Sequence, residues 1–227
     1  MILHLPRVLT ADQVRHFNEV LAKAAWVDGR VSAGEQAAQV KNNLQIPEDN
    51  REAAALGETI VRALAANPAF MSAASPAKLF PPMFNRYREG MAYGPHVDTS
   101  IRHSRLTGGR FRTDLSCTLF LSDPAAYDGG ELVIEEDLAS RRVKLPAGDA
   151  VLYPADSVHQ VTPVTRGERW ASFFWVQSTV ADPTRRRLLY DLDQAAGAIR
   201  AGQGDGDPAV VALVGIYHRL ARMWSQV

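Results

Sequence analysis

Two amphipathic helices are predicted in the N-terminal third of the chain. Thr10 and Gln13 form a capping box, and the apolar residues of 10–25 follow it at helical spacing. Residues 50–67 repeat this pattern with one apolar stripe. Four prolines between residues 68 and 82 exclude a further long helix there.

Helical spacing returns after residue 178. Asp182 and Asp207 are each followed by proline. A cap residue followed by proline at the first helical position often begins a helix. We expect one helix from Asp182 to about Ala201 and another after Asp207. The glycine-rich stretch 202–206 separates them as a linker.

The middle of the chain has a strand-like period. Short apolar or alternating runs are separated by turn residues, among them Asp128-Gly129-Gly130. Runs at this spacing are typical of a β-sandwich or barrel such as a jelly roll. We expect the last two runs to pair as an antiparallel hairpin. The predicted strands are Met83–Arg88, Thr113–Ser122, Glu131–Glu135, Arg142–Leu145, Ala150–Tyr153, Val158–Thr165 and Arg169–Gln177.

The strand at 113–122 is at least half apolar on both of its faces, so we expect it to be covered on both sides. The N-terminal helices are the natural cover for the more apolar face, which leaves the mixed face for the barrel interior. The more apolar face carries Leu115, Cys117, Leu119 and Leu121. The mixed face carries Ser116, Thr118 and Phe120.

Length and pattern together predict a mainly β protein with flanking helices. At 227 residues the chain is one domain with appendages. We divide it into an N-terminal helical region that packs on the core (1–82), a jelly-roll core (83–178) and a C-terminal helical extension (179–227).

Composition narrows the possible partners. The 25 Lys and Arg residues balance 25 Asp and Glu residues, so the formal net charge is zero, which argues against a nucleic-acid partner or a polybasic membrane anchor. No apolar run approaches the ~18 residues of a membrane span, and residues 1–7 lack a signal-peptide pattern. We therefore expect a cytoplasmic protein. The single cysteine, Cys117, is compatible with a reducing compartment.

Candidate chemistry centres on His96 and Asp98. Residues two apart in an extended segment point to the same side, so this imidazole and this carboxylate are expected to face one point. His159, at the start of a later strand, adds a second imidazole. Two histidines and one carboxylate with the opposite side open are the ligand set of non-haem Fe(II) oxygenases. Arg169 follows on the next strand, where its planar guanidinium suits a carboxylate of an oxo-acid co-substrate.

Five stretches of the sequence resemble PKHD-type hydroxylases, which belong to the prolyl- and lysyl-hydroxylase-like branch of the Fe(II)/2-oxoglutarate oxygenases. The resemblance covers nearly the whole chain, including the helical C-terminal part of the bacterial members. The stretches are Asn85-Arg86-Tyr87, His96-Val97-Asp98, Asp114–Ser122, Tyr127–Leu132 and His159–Arg169.

The resemblance implies a double-stranded β-helix fold and a hydroxylase that depends on 2-oxoglutarate. It implies that His96, Asp98 and His159 bind iron and that Arg169 anchors 2-oxoglutarate. Tyr87 occupies a position at which related hydroxylases use a tyrosine on the same co-substrate. It also implies L-ascorbate as the reductant that keeps the iron reduced. Bacterial members are associated with iron uptake.

Two other functions share this site or fold. A non-catalytic β-barrel that senses iron or an oxo acid would use the same ligands without turnover. A nucleic-acid dealkylase is disfavoured by the neutral charge and by the lack of a second arginine shortly after Arg169, which the pattern of that group has. Candidate substrates are small molecules or peptides, and homo-oligomerisation through the C-terminal helices is a further expectation. Loop 99–112 is long, basic and contains glycine, which is typical of an active-site lid.

Overall fold

The computed structural model describes residues 1–103, 109–136 and 138–226. Two antiparallel sheets pack face to face as a jelly roll, and helices cover the outer face of the larger sheet. The helices are α1 (Ala11–Lys23), α2 (Glu35–Gln39), α3 (Arg51–Ala65), α4 (Pro68–Ala74), α5 (Pro183–Gln203) and α6 (Pro208–Trp224), with 3₁₀ turns at Gly29–Ser32 and Pro124–Ala126.

Seventeen short strands are present in the part of the chain that the structure describes. They are β1 (Leu3–Leu5), β2 (Val27–Asp28), β3 (Lys41–Asn42), β4 (Leu44–Gln45), β5 (Pro76–Leu79), β6 (Met83–Tyr87), β7 (Ala92–His96), β8 (Ile101–His103), β9 (Arg110–Arg112), β10 (Leu115–Phe120), β11 (Tyr127–Gly129), β12 (Leu132–Glu136), β13 (Ala139–Val143), β14 (Ala150–Pro154), β15 (His159–Val161), β16 (Val164–Gly167) and β17 (Arg169–Ser178).

The larger sheet has the order β1-β14-β10-β17-β6-β4-β2, and β5 also pairs with β17. The smaller sheet has the order β13-β12-β15-β7-β3. Two further pairs, β11 with β16 and β8 with β9, lie beside them. The predicted mainly β jelly roll with flanking helices is therefore confirmed.

The four long predicted helices begin where the cap residues indicate. Thr10 and Gln13 form both hydrogen bonds of the capping box, and Asn50 caps α3 through the backbone N–H of Ala53. Asp182 and Asp207 cap α5 and α6, each with proline in the first turn. Helix α5 continues to Gln203, two residues into the predicted linker. It ends at Gly204, whose positive φ of 85° is incompatible with a further helical turn.

The two faces of β10 have the roles that their side chains predict. The apolar face, with Cys117 and Leu119, packs in one cluster with Phe17 of α1 and Ile60 of α3. The mixed face points between the sheets, where Phe120 belongs to an inner cluster of buried apolar residues. Burial of each fully enclosed apolar side chain contributes about 1.5–3 kcal/mol, so both faces stabilise this central strand.

One pairing prediction is wrong. Val158–Thr165 does not form a hairpin with Arg169–Gln177, because β15 pairs with β12 and β7 in the smaller sheet. Strand β17 pairs instead with β10, β6 and β5 in the larger sheet. The turn at Gly167 therefore carries the chain from one sheet to the other, which places the ends of β15 and β17 on facing walls.

Residues 1–82 contribute more than helices. Strands β1, β2, β4 and β5 extend the larger sheet, and β3 extends the smaller one. The division at residues 82 and 178 stays a prediction. No described helix is long and apolar enough to span a bilayer.

The Asp128-Gly129-Gly130 turn depends on glycine. Gly129 and Gly130 have φ of 67° and 62°, in the left-handed region that favours glycine. A Cβ on Gly129 would lie 2.0 Å from the carbonyl oxygen of Pro163. A Cβ on Gly130 would lie 3.2 Å from Cδ of Arg169, so the turn packs directly against the stem of that arginine.

Candidate metal centre and co-substrate pocket

Two facing histidines mark the inner end of one pocket between the sheets. His96 ends β7 and His159 begins β15, and the two are register partners in the smaller sheet. Their rings lie 4.2 Å apart between centroids, and both residues are buried. The pairing of β7 with β15 therefore brings together two imidazoles that lie 63 positions apart in the sequence.

Asp98 completes a cluster of three potential ligands. Its carboxylate oxygens lie 4.0 Å from Nε2 of His96 and 3.7 Å from Nε2 of His159. The three ligand atoms lie within 4.8 Å of one another. Within residues 1–103, 109–136 and 138–226, this is the one cluster of three or more such groups that could hold an ion.

Backbone carbonyls fix the orientation of both imidazoles. Nδ1–H of His96 donates to the carbonyl of Gly94 (2.9 Å), and Nδ1–H of His159 donates to the carbonyl of Ser157 (3.0 Å). With the proton on Nδ1, the lone pair of Nε2 faces the shared point, as a metal ligand requires. Burial lowers the pKa of His96, and the neighbouring His159 lowers it further, so the neutral ligand form is favoured.

Neighbouring side chains hold the cluster in place. The ring of Tyr93 stacks on His96 at 3.6 Å with an interplanar angle of 14°. The ring of Tyr153 meets His159 edge-on at 5.2 Å. Ser116, on β10 of the larger sheet, donates a 2.5 Å hydrogen bond from Oγ to the carboxylate of Asp98. This bond joins the two sheets at the candidate metal centre.

Arg169 lines the same pocket from the larger sheet. It is only 1% exposed, yet its Nε and Nη1 have no hydrogen-bond partner among the described residues. Tyr87 and Phe120 flank the guanidinium, with ring centroids 5.3 Å and 5.2 Å from its central carbon. A buried guanidinium with free donors lacks the partner that buried charges normally have. The residues therefore fit a bound carboxylate.

Tyr87 is the register partner of Arg169 across β6 and β17. It is buried, and burial raises the pKa of its hydroxyl. All five residues predicted from the sequence line one pocket.

Sequence reasoning missed part of this pocket. Lys41, Tyr93 and Tyr153 line it and none was singled out. Lys41 belongs to a two-residue strand, which is too short for a periodic signal. Trp175, on β17 with Arg169, also lines the pocket. Of the basic loop 99–112, Arg102 lines the pocket, and residues 104–108, with Arg105, lie outside the described residues.

Comparison with known proteins agrees with the fold. The family model of the 2OG-Fe(II) oxygenase superfamily matches residues 82–177, and that of the PKHD-type hydroxylase C-terminal domain matches residues 184–226. A PKHD-type hydroxylase of Gluconobacter oxydans is 53% identical over 227 residues, which cover all of both chains. One of Burkholderia lata is 55% identical over 225 residues, which cover 99% of each chain.

Solved structures show the same fold at low sequence identity. A prolyl-4-hydroxylase of Pseudomonas putida has a TM-score of 0.51 at 20% identity and covers 78% of this chain and 92% of its own. HygX of Streptomyces hygroscopicus, solved with nickel, 2-oxoglutarate and hygromycin B, has a TM-score of 0.55 at 14% identity and covers 78% and 83%. These likenesses show the fold, and the family models with the curated relatives define a 2-oxoglutarate- and Fe(II)-dependent dioxygenase. Within that class, the chain belongs to the PKHD-type hydroxylases.

Proposed function

We propose that this dioxygenase hydroxylates its substrate at an iron held by His96, Asp98 and His159. The observation that carries the proposal is the convergence of their three ligand atoms within 4.8 Å, in one pocket with an unpartnered buried arginine. Two imidazoles and one carboxylate leave coordination positions free, as the oxygenase reaction requires.

Arg169 binds the distal carboxylate of 2-oxoglutarate in this proposal. Its Nε and Nη1 have no hydrogen-bond partner among the described residues, so the guanidinium has donors available for a carboxylate. The aromatic rings of Tyr87 and Phe120 hold the guanidinium in place and exclude water around it. Tyr87 contributes its buried hydroxyl to the same co-substrate, whereas Phe120 has none to offer.

When bound, Fe(II) and 2-oxoglutarate supply the oxidising power that inserts one atom of O2 into a C–H bond, with succinate and CO2 as the other products. The protein's own side chains and backbone orient the candidate metal ligands. The Gly94 and Ser157 carbonyls keep Nε2 of each histidine unprotonated, and Ser116 fixes the position of Asp98.

The decisive experiment compares wild-type protein with Asp98→Ala. Wild-type protein should bind Fe(II) and form succinate from 2-oxoglutarate in the presence of O2, even without a substrate. Asp98→Ala should lose both properties, whereas Asp191→Ala, on the exposed side of α5, should keep them. Iron-dependent succinate formation that persists in Asp98→Ala would overturn the proposed ligand set. Wild-type binding of both groups without any turnover would support the sensing alternative instead.

We also propose small-molecule or peptide substrates. Among structural neighbours, HygX was solved with hygromycin B, and a prolyl hydroxylase of Trichoplax adhaerens was solved with a peptide fragment. L-ascorbate as reductant and a link to iron uptake are proposals that rest on the family resemblance, and a cytoplasmic location is a proposal that rests on the sequence pattern. Measuring turnover with and without ascorbate tests the first of them.

We propose homo-oligomerisation through α5 and α6 for a structural reason. These helices leave large apolar side chains exposed, with Leu188 at 52%, Val211 at 60% and Met223 at 73%. Apolar residues at a polar surface are typical of protein contacts when they cluster. Light scattering of wild-type protein beside Val211→Glu tests this, and a monomeric wild-type protein would contradict it.

A further inference from the structure

Two cations line the pocket in addition to Arg169. Lys41 is only 6% exposed, and its amine lies 5.0 Å from the ring centroid of Tyr93. The Arg102 guanidinium lies over the ring of Trp175, 4.1 Å from its centroid. Lysine and arginine are rarely buried without a charged partner. The pocket therefore holds more positive charge than the co-substrate anchor accounts for.

Neutral groups are the hydrogen-bond partners of Lys41. Its Nζ donates to Oγ of Ser32 (3.0 Å) and to Oε1 of Gln45 (3.4 Å), which leaves the third N–H of the ammonium free. Burial, and to a smaller extent the neighbouring Arg102, lowers the pKa of Lys41 to about 8. Nearby anions, Asp98 and the more distant Asp28, oppose this only in part.

Arg102 also has unused hydrogen-bonding capacity. Its Nε is buried without a partner, and so is the indole Nε1 of Trp175 beneath it. Both atoms are donors, and both residues line the pocket. No carboxylate of the described residues lies within 4.0 Å of the Lys41 amine or the Arg102 guanidinium.

The formal charges of the centre with Fe(II) and 2-oxoglutarate bound show this excess of positive charge. Among the described lining residues Asp98 is the one carboxylate, facing Lys41, Arg102 and Arg169. Iron(II) brings two positive charges, and Asp98 with 2-oxoglutarate brings three negative ones. Arg169 then makes the centre neutral. Lys41 and Arg102 then have no carboxylate partner among the described residues of the lining, and Glu48, outside that lining, acts on Arg102 only from beyond 4.0 Å, so the loaded pocket favours a further anion.

We propose that Lys41 and Arg102 bind a carboxylate of the substrate, so that the enzyme hydroxylates carboxylate-bearing molecules. This inference rests on the proposed function, because it assigns the substrate side of the same pocket. Arg102 supplies the planar, two-point contact and Lys41 the compact charge. The rings of Tyr93, Phe173 and Trp175 line the space beside them and suit an apolar part of the same molecule.

A carboxylate can come from a free acid or from a peptide, and matched probes separate these sources. The probes are N-acetyl amino acids and N-acetyl tripeptides, each as the free acid and as the primary amide. Binding is measured without O2 by the change in the charge-transfer absorption of the Fe(II)–2-oxoglutarate complex. Wild-type protein should bind acids about tenfold or more tightly than amides, since a charge-assisted hydrogen bond is lost in the amide.

Lys41→Met and Arg102→Gln should each reduce the acid preference about tenfold while leaving 2-oxoglutarate affinity unchanged. Lys144→Met and Arg185→Gln are the matched controls, since each removes a cation that lies over an aromatic ring outside this pocket. The controls should keep the full preference. Lys41→Gln, which retains a polar head group, provides a second variant if Lys41→Met fails to fold.

Three outcomes would overturn the assignment. One is equal binding of acids and amides by wild-type protein, including no binding of either. Another is a loss of 2-oxoglutarate affinity in Lys41→Met or Arg102→Gln, which would place these cations on the co-substrate. The third is tighter binding of a matched phosphonate, which would make phosphate the preferred anion. If wild-type protein forms no Fe(II)–2-oxoglutarate complex, that result contradicts the proposed function alone. Calorimetry with the metal-free protein then still compares the binding of acids with that of amides and so tests the substrate assignment.

Discussion

Two walls of the pocket are built in different ways. The strand wall consists of residues on β6, β7, β10, β15 and β17, and it carries His96, His159 and Arg169. The short-segment wall consists of Ser32, Lys41 and Arg102, which lie on a 3₁₀ turn and on strands of two and three residues. The first wall is held by long paired strands, whereas the second depends on short pairings, of β3 with β7 and of β8 with β9, and on side-chain contacts.

This difference suits a division between the reaction centre and the surface that recognises the substrate. A reaction centre must hold its ligands rigidly, and paired strands do this well. A recognition surface changes most easily on short irregular segments, which tolerate substitution without disturbing the sheets. We therefore assign the reaction to the strand wall and the choice of substrate to the short-segment wall.

The largest expected effect tests the strand wall through Arg169→Met. Loss of the charge-assisted hydrogen bonds to a carboxylate should raise the apparent KM for 2-oxoglutarate about 30- to 150-fold, equivalent to about 2–3 kcal/mol. Fe(II) affinity should stay nearly unchanged. Succinate formation at varied 2-oxoglutarate measures the first effect, and anaerobic Fe(II) titration measures the second.

Arg186→Met is the matched control for this prediction. Arg186 is another buried arginine, but its Nη1 donates to the carbonyl of Val180 at 2.8 Å, outside the pocket. This control should lose stability and keep its 2-oxoglutarate affinity. An unchanged KM in Arg169→Met would show that Arg169 does not bind the co-substrate, and it would contradict the role assigned to the strand wall.

The next effect tests the short-segment wall through the stability of metal-free Lys41→Met. Burial lowers the pKa of Lys41 from 10.5 to about 8, so the charged form is disfavoured in the folded protein. Below pH 8 the full penalty is present, and Lys41→Met should be more stable than wild type by about 1–3 kcal/mol. Between pH 8 and 10.5 the unfolded chain binds more protons than the folded protein, so wild-type stability should rise with pH and the gap should close.

Urea denaturation at pH 7 and pH 10 measures this gap. Lys144→Met serves as the control, because the Lys144 amine lies outside the pocket and donates to the carbonyl of Tyr127. Equal stability of wild type and Lys41→Met at both pH values would contradict the claim that burial disfavours the charged form of Lys41 in the short-segment wall.

The smallest expected effect concerns the link between the sheets. Ser116→Ala removes the hydrogen bond to Asp98 and should weaken Fe(II) binding about tenfold, the lower end of the range for residues that orient metal ligands. Ser72→Ala removes a similar bond to Asp193 near α4 and should leave Fe(II) binding unchanged. Equal Fe(II) affinities in both variants would show that the hydrogen bond from Ser116 is not needed to position Asp98.

The strand wall was largely predictable from the sequence. The His96–Asp98 spacing and the alternation on β10 depend on the two-residue period of an extended chain, which is a local property. The regular strands from β6 to β17 fall within a residue or two of most predicted runs. The pairing of β15 was predicted wrongly, because sequence proximity favours a hairpin while the Gly167 turn sends β17 into the other sheet.

The short-segment wall was not predictable from the sequence. Lys41, Asn43 and Gln45 are all buried, with the intervening residues more exposed, so a polar face of this segment points inward. Alternating polar residues ordinarily indicate a face in solvent, and nothing local reverses that expectation. Only the tertiary packing of the segment against β6 and β7 makes this face part of a pocket.

The Gly130 turn also has a consequence for which oxo acids the enzyme accepts. The close approach of its backbone to the stem of Arg169 leaves no space for a side chain at Gly130. The position of the guanidinium is therefore constrained, and its distance from the candidate metal centre sets the length of dicarboxylic acid that can bind. We expect the five-carbon 2-oxoglutarate to fit between these two points, and an oxo acid with one more methylene to be too long.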